Sequence, residues 1–214
     1  MFNDRSDAGV QLASKLKDYK NQKDILVLAL PRGGVVTGYE IARLLNAPLD
    51  VVIVRKIGFP GQLEFGIGAI SETGTVVLNE LTISTYGVPK DYIEHEISRQ
   101  KEEISRRVKL YRKGGKLPDL EGKTVILTDD GVATGGTMKA AIATLKQEKL
   151  NKLIVALPVA PSTVADELKQ MVDEFICIET PFDFMAVGSY YYDFTQVSDE
   201  EVVELLQRSA EKKR

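Results

Sequence analysis

The chain has 214 residues, 43% of them hydrophobic, enough for one domain-sized core, and its 28 basic and 31 acidic side chains leave a formal net charge of −3. That balance gives no overall positive field to recruit nucleic acid or an anionic membrane, so an anion must be bound by local groups. One cysteine, Cys177, and one histidine, His95, exclude an internal disulfide and any site built from several cysteines or histidines; with no apolar run of membrane-spanning length, a cytoplasmic location is expected.

The first element is a helix over residues 7–19, with Leu12, Leu16 and Tyr19 turned inward as a cover. Apolar, largely β-branched runs at 25–30, 49–54, 124–128, 153–157 and 175–178 do not alternate with polar residues, as expected of strands covered on both faces. Helical patterns at 37–45, 137–147 and 162–171 lie between them, the last with Ser162 or Thr163 as its cap. Strands alternating with helices predict a doubly wound α/β domain, with a five-stranded parallel sheet flanked by helices.

About seventy residues separate the second and third core strands, far more than a usual connection. Within them, 65–71 and 75–78 flank Glu72, Thr73 and Gly74 as a hairpin, and 89–113 reads as a long helix. Ile93, Ile97, Ile104, Val108 and Tyr111 form its apolar stripe, while Arg99, Arg106, Arg107, Lys109 and Arg112 lie off it as a solvated basic face. Ser198, Asp199, Glu200 and Glu201 make a capping-box pattern that opens a last helix running to about residue 208.

In open parallel sheets, ligands bind beyond the carboxyl ends of the strands, where strand order reverses. Two glycine-rich turns follow strands here: Pro31, Arg32, Gly33 and Gly34 after the first, and residues 129–137 after the third. In the second, Gly135 and Gly136 let backbone N–H groups close around a phosphate, with Thr134 and Thr137 adding hydroxyls. Asp129 and Asp130 would repel that phosphate and suit sugar hydroxyls instead, which matches a ribose 5-phosphate. The turn is no P-loop, because Gly136 stands where the lysine is needed, and neither turn has the dinucleotide-binding spacing.

Val125-Ile-Leu-Thr-Asp-Asp-Gly-Val-Ala-Thr-Gly-Gly-Thr137 resembles the thirteen-residue phosphoribosyl diphosphate motif of the type I phosphoribosyltransferases. Pro31-Arg-Gly-Gly34 resembles that family's diphosphate loop, and Val54-Arg-Lys56 its Arg-Lys step. The stretch from Pro181 to Phe194 resembles a bacterial and archaeal subgroup whose acceptor is unassigned. The resemblance implies one domain over 1–214: a core of about 20–180, a mobile-loop and helix insertion of about 57–118, and a small C-terminal hood of about 179–214 joined by the N-terminal helix.

It further implies an Mg²⁺-dependent transfer of phosphoribosyl from its diphosphate to a nitrogenous base, in nucleotide salvage, with release of diphosphate. Asp129 and Asp130 would hold the ribose hydroxyls, partly through Mg²⁺ and water, and Ala133, Thr134, Gly135, Gly136 and Thr137 the 5′-phosphate. Arg32, Gly33 and Gly34 would receive the diphosphate, with Arg55 and Lys56 adding positive charge, and a glycine-rich loop of about 58–77 would close over them. Ala133 replaces the aspartate of 6-oxopurine enzymes, which argues against hypoxanthine or guanine. Phe182, Asp183 and Phe184 either read the base or cover the sheet edge. The alternative to an enzyme is a sensor that keeps the sugar site without transfer. Nucleic acid and membrane are not expected as partners; a homodimer fits enzymes of this kind, but no residue pattern here decides it.

Overall fold

A computed structural model describes residues 1–211, apart from the side chain of Glu64. In chain order the elements are α1 (Arg5–Lys15), β1 (Ile25–Ala29), α2 (Gly33–Leu45), β2 (Leu49–Val51), β3 (Val54–Phe59), β4 (Gln62–Ser71), β5 (Val76–Leu78), α3 (Glu80–Tyr86) and α4 (Lys90–Arg112). They continue with β6 (Thr124–Thr128), α5 (Gly136–Leu145), β7 (Lys152–Val159), α6 (Ser162–Lys169), β8 (Glu174–Glu179) and α7 (Asp199–Glu211).

The main sheet has the order β2-β1-β6-β7-β8 and every neighbouring pair is parallel. Every residue of β1 and β6 is buried, which is why these runs show no polar alternation. Successive side chains still go to opposite faces. Ile25 and Val27 pack with Leu12 and Leu16 of α1 and Ile41 and Leu45 of α2, whereas Leu26 and Leu28 pack with Met138 and Ile142 of α5. The five-stranded parallel core flanked by helices is therefore the predicted α/β fold. Helix α1 sits close on α2 because Gly9 has no side chain: a Cβ there would lie 2.7 Å from the Thr37 carbonyl oxygen.

Several boundaries differ from expectation. The second core strand ends at Val51, and the chain passes through Val52 and Ile53 into β3, which belongs to another sheet. That sheet, β3-β4-β5, is antiparallel, with Ile70 opposite both Arg55 and Val76. The predicted glycine-rich loop is thus mostly a packed sheet, with Ile57, Ile67 and Ile70 buried against Ile93, Ile104 and Tyr111 of α4. Only the turns at Pro60 and Gly61 and at 72–75, where Gly61 takes φ +76° and Gly74 φ +87°, have loop character. Helix α3, which no sequence pattern announces, is capped by Asn79, which accepts from Thr82 N at 3.0 Å.

Helix α4 carries the predicted stripe, but its opposite side is not uniformly solvated. Arg112 is buried between Glu72, with which it pairs closely, and Asp50, 3.6 Å away. Glu72 also accepts from the Ile53 N–H at 2.9 Å. These contacts pin the insertion to the main sheet. The capping box at α7 forms as read: Ser198 N donates to Glu201 at 2.7 Å and Glu201 N to Ser198 Oγ at 3.2 Å. At α6 it is Pro161, not Ser162 or Thr163, that occupies the cap. No helix among the described residues is long and apolar enough to cross a membrane.

Candidate active site

Strand order reverses between β1 and β6, since the chain leaves β1 for β2 on one side and returns to β6 on the other. Both glycine-rich turns leave the carboxyl ends of these two strands, so they meet at the crevice where an open parallel sheet binds its ligand. The meeting is tight. A Cβ on Gly33 would collide with the Asp130 carboxylate, and one on Gly34 would lie 2.8 Å from Asp129 Cα and 3.2 Å from the Thr128 carbonyl oxygen. The two glycines of the first turn are therefore required by the acidic pair of the second.

This contact makes a test. Gly34→Ala places its methyl against backbone, which cannot rotate away, so the turns must separate. The expected loss is about 1–3 kcal/mol of stability, as for other overpacked sites, together with displacement of Asp129; denaturant melts and ligand titration measure both. An unchanged variant would mean that the turns are not in contact.

The acidic pair has partners. Asp129 Oδ1 accepts from Asp130 N at 2.8 Å. Asp130 Oδ2 pairs with Arg5 Nε at 2.6 Å, and its backbone carbonyl accepts from the Tyr191 hydroxyl at 2.5 Å. Arg5 also donates to the Thr195 carbonyl at 2.7 Å and lies 3.7 Å from the centre of the Phe194 ring. Burial, and then the neighbouring Asp130 charge, push the Asp129 carboxyl well above the usual carboxylate range. Burial likewise raises the Tyr191 phenol, so it stays a donor at neutral pH.

Arg5, Tyr191 and Phe194 are not legible as site residues in the sequence, because nothing local to α1 or to the C-terminal segment points at Asp130. They tie these two pieces together over the acidic pair. Phe2 N donates to the Tyr190 carbonyl and Tyr192 N to that of Phe2, at 2.8 and 2.9 Å.

The second turn enters α5 through Gly135 at φ +77°, a left-handed conformation suited to glycine. The first N–H groups of α5 have no helical acceptor, and no acidic residue sits in its first turn. Ala133, Thr134 and Thr137 are exposed around this end. Lys56 approaches it from β3, since a Cβ on Gly136 would touch Lys56 Cδ at 3.4 Å. Lys139 stands beside Gly135 and pairs with Glu167 of α6.

Arg55, next along the strand, faces the other way and donates from Nε to Gln100 of α4 at 2.9 Å. The Arg-Lys step is thus divided between α5 and α4, although both residues line one cleft of about 380 Å³ together with Pro31 and Thr137. Arg32 begins α2 after a cis Pro31–Arg32 peptide and reaches Asp199 of α7 at 3.9 Å. Phe182 is 88% exposed and Asp183 is exposed as well, while Phe184 stacks on Tyr190 at 5.7 Å. Cys177 is half-buried and its thiol is pushed up to about 12 by burial, which leaves it unreactive.

A family model described as a phosphoribosyl transferase domain matches residues 5–195, a span that contains both turns and Arg5. The chain belongs to the phosphoribosyl transferase domain family. The protein described as "Putative phosphoribosyl transferase Rv0571c" from Mycobacterium tuberculosis H37Rv is 40% identical over 209 residues, covering 98% of this chain and 47% of that protein. MT0597 of strain CDC 1551 matches to the same extent. The chain thus spans about half the length of the curated relatives it matches. The crystal structure of TT1426 from Thermus thermophilus is 41% identical, with a TM-score of 0.87 over 97% of this chain and 98% of that one.

Proposed function

We propose that this phosphoribosyl transferase domain moves the 5-phosphoribosyl group from its 1-diphosphate to a nitrogenous acceptor and releases diphosphate. The observation that carries the reading is the fitting of Gly33 and Gly34 against Asp130 and Asp129 at the reversal of strand order. It brings a hydroxyl-binding acidic pair, a neutral phosphate cup and an arginine-bearing turn into one crevice, the three parts that this sugar diphosphate needs. In this reading residues 133–137 hold the 5′-phosphate through backbone N–H groups and the Thr134 and Thr137 hydroxyls, with Lys56 beside them. Asp129 and Asp130 accept from the ribose 2′- and 3′-hydroxyls. Arg32, with the N–H groups of Gly33 and Gly34, receives the diphosphate, and Arg55 adds charge from the far wall.

Among the described residues no group of three or more histidine, cysteine or acidic side chains could form a metal cage. One member of the acidic pair is also already ion-paired with Arg5. This donor set fits an ion such as Mg²⁺, which Asp129 and Asp130 would hold partly through water, with few direct protein contacts. When bound, it would neutralise charge gathering on the departing diphosphate. The chain's own part is positioning. Breaking the bond from C1 to the diphosphate oxygen leaves an oxocarbenium-like carbon, and preorganised donors on the leaving group stabilise that transition state. The acceptor nitrogen then bonds to C1, and its N–H proton is released to solvent or to the departing diphosphate.

Phe182 and Asp183 remain the candidates to meet the acceptor. Their exposure leaves them without competing partners among the contacts described, whereas Phe184 is committed to Tyr190. The test is initial-rate diphosphate release with Mg²⁺, phosphoribosyl diphosphate and a panel of free bases. Base-dependent release is expected, and Lys56→Met should lower it about tenfold or more by weakening the hold on the phosphate. Release that is independent of any base, or unaffected by Lys56→Met, would contradict the assignment.

A further inference from the structure

The long helix has a basic face that the sugar site does not use. In the structure Arg99 and Arg106 of α4 stand with Arg55 of β3 around a second cleft of about 420 Å³, lined also by Gln100, Glu102 and Glu103. Arg55 is common to this outer cleft and to the inner one that holds Pro31, Lys56 and Thr137. Arg99 and Gln100 also line both clefts, whereas Glu102 and Arg106 line only the outer one.

The charges there are not evenly matched. Glu96 is held by Arg99 at 2.6 and 2.8 Å, and Glu103 by Arg106 and Arg107 at 2.8 Å. The last two pairings keep the Glu103 carboxyl down at about 2, so both arginines face an ionised partner. Arg55 has no carboxylate within 4.0 Å among the described residues; its Nε donates to the amide oxygen of buried Gln100, a neutral group. Burial, and then Arg107, lower its pKa, the sign of a guanidinium short of countercharge. The cleft contains no aromatic or aliphatic side chain among the described residues, so it lacks the apolar lining of a nucleobase pocket. What it offers is the guanidinium edges beyond those pairings, that of Arg55 above all, which suit phosphate oxygens.

We infer that the outer cleft is a second anion site for a compact polyphosphate, with diphosphate as its ligand, adjoining the sugar site at Arg55. The site itself stands on this geometry alone; its use as a station for departing product rests on the transfer reading.

The experiment is a calorimetric titration of the full chain with inorganic diphosphate, using wild type, Arg99→Ala/Arg106→Ala and Glu102→Gln. Both arginine side chains are about half exposed, 51% and 56%. Arg99 holds buried Glu96, whereas Glu103 keeps Arg107 when Arg106 is lost, so Arg106→Ala alone, with a denaturant melt, stands in should the double variant lose its fold. Wild type should bind two diphosphates. The double variant should lose one of them, or bind it at least about tenfold more weakly, as expected for lost charge-assisted contacts. Glu102→Gln should tighten the same site, because it removes a repelling carboxylate. A single wild-type site that the double variant abolishes and Glu102→Gln tightens would keep this proposal and count against the sugar site, whereas one that Glu102→Gln leaves unchanged would be the inner cleft and overturn it. Equal stoichiometry and affinity in wild type and double variant would overturn it, as would an outer site indifferent to Glu102→Gln.

Discussion

Asp129→Asn is expected to stabilise the ligand-free protein at neutral pH while destroying its binding of phosphoribosyl diphosphate. The Asp129 carboxyl has its pKa raised in the fold by burial and by Asp130. A carboxyl raised in this way contributes stability that is full below the unfolded value, about 3.9, and is lost as pH rises through the folded value. Above the unfolded value the wild type therefore holds the Asp129 carboxyl at a cost, in an enclosed site beside a second carboxylate. Asparagine removes that cost and keeps an oxygen to accept from Asp130 N. The gain in melting temperature over wild type should grow from pH 4 to pH 7 and vanish in acid. Binding should move the other way, falling at least about 10²-fold, because the amide is a poor partner for sugar hydroxyls and Mg²⁺. Melting curves against pH, paired with ligand titration, measure both. A variant less stable than wild type at pH 7 would mean that the fold does not raise the Asp129 carboxyl.

Arg5→Ala should be the most damaging single change outside the core. Arg5 and Asp130 are both largely buried, with side chains 10% and 16% exposed, and removing one partner leaves the other charge unpaired beside Asp129. Such losses cost about 3–5 kcal/mol. The truncation also strips the stacking partner from Phe194 and a donor from the Thr195 carbonyl, so the 190–195 segment should loosen with it. Chemical denaturation reads the first effect and amide exchange at 191–195 the second. Adding Asp130→Asn to Arg5→Ala should recover part of the stability, since the stranded charge is then gone. A double variant no better than the single one would show that packing on Phe194, rather than the ion pair, holds the hood.

Much of this arrangement is legible in the sequence because it is local. Unbroken apolar runs at Ile25–Ala29 and Thr124–Thr128 mark strands buried on both faces, and the residues right after each strand supply the site. The phosphate cup needs only a strand, small residues and a helix start in succession. What the sequence hides depends on tertiary contact. Nothing near Arg5 announces that its guanidinium ends on Asp130, 125 residues away. The run from Leu49 to Val54 reads as one strand, yet it splits between two sheets at Val52 and Ile53, since both halves are equally apolar and only the partners differ. Arg112 reads as solvated by periodicity and is buried, because Glu72 and Asp50 reach it from other elements. The glycines at 58, 66 and 68 suggest a loop. In the structure Gly58 and Gly68 let strands approach: a Cβ on Gly68 would lie 2.6 Å from the Val77 carbonyl oxygen.

The central claim is transfer of the phosphoribosyl group, and the most direct measurement is ³¹P NMR of phosphoribosyl diphosphate with Mg²⁺, the protein and a mixture of free bases. The account predicts loss of the diphosphate ester resonances in step with the appearance of free diphosphate and a nucleoside 5′-monophosphate, and no such change when the bases are left out. Conversion to ribose 5-phosphate regardless of the bases, or a bound sugar diphosphate that persists unchanged with every base, would contradict it.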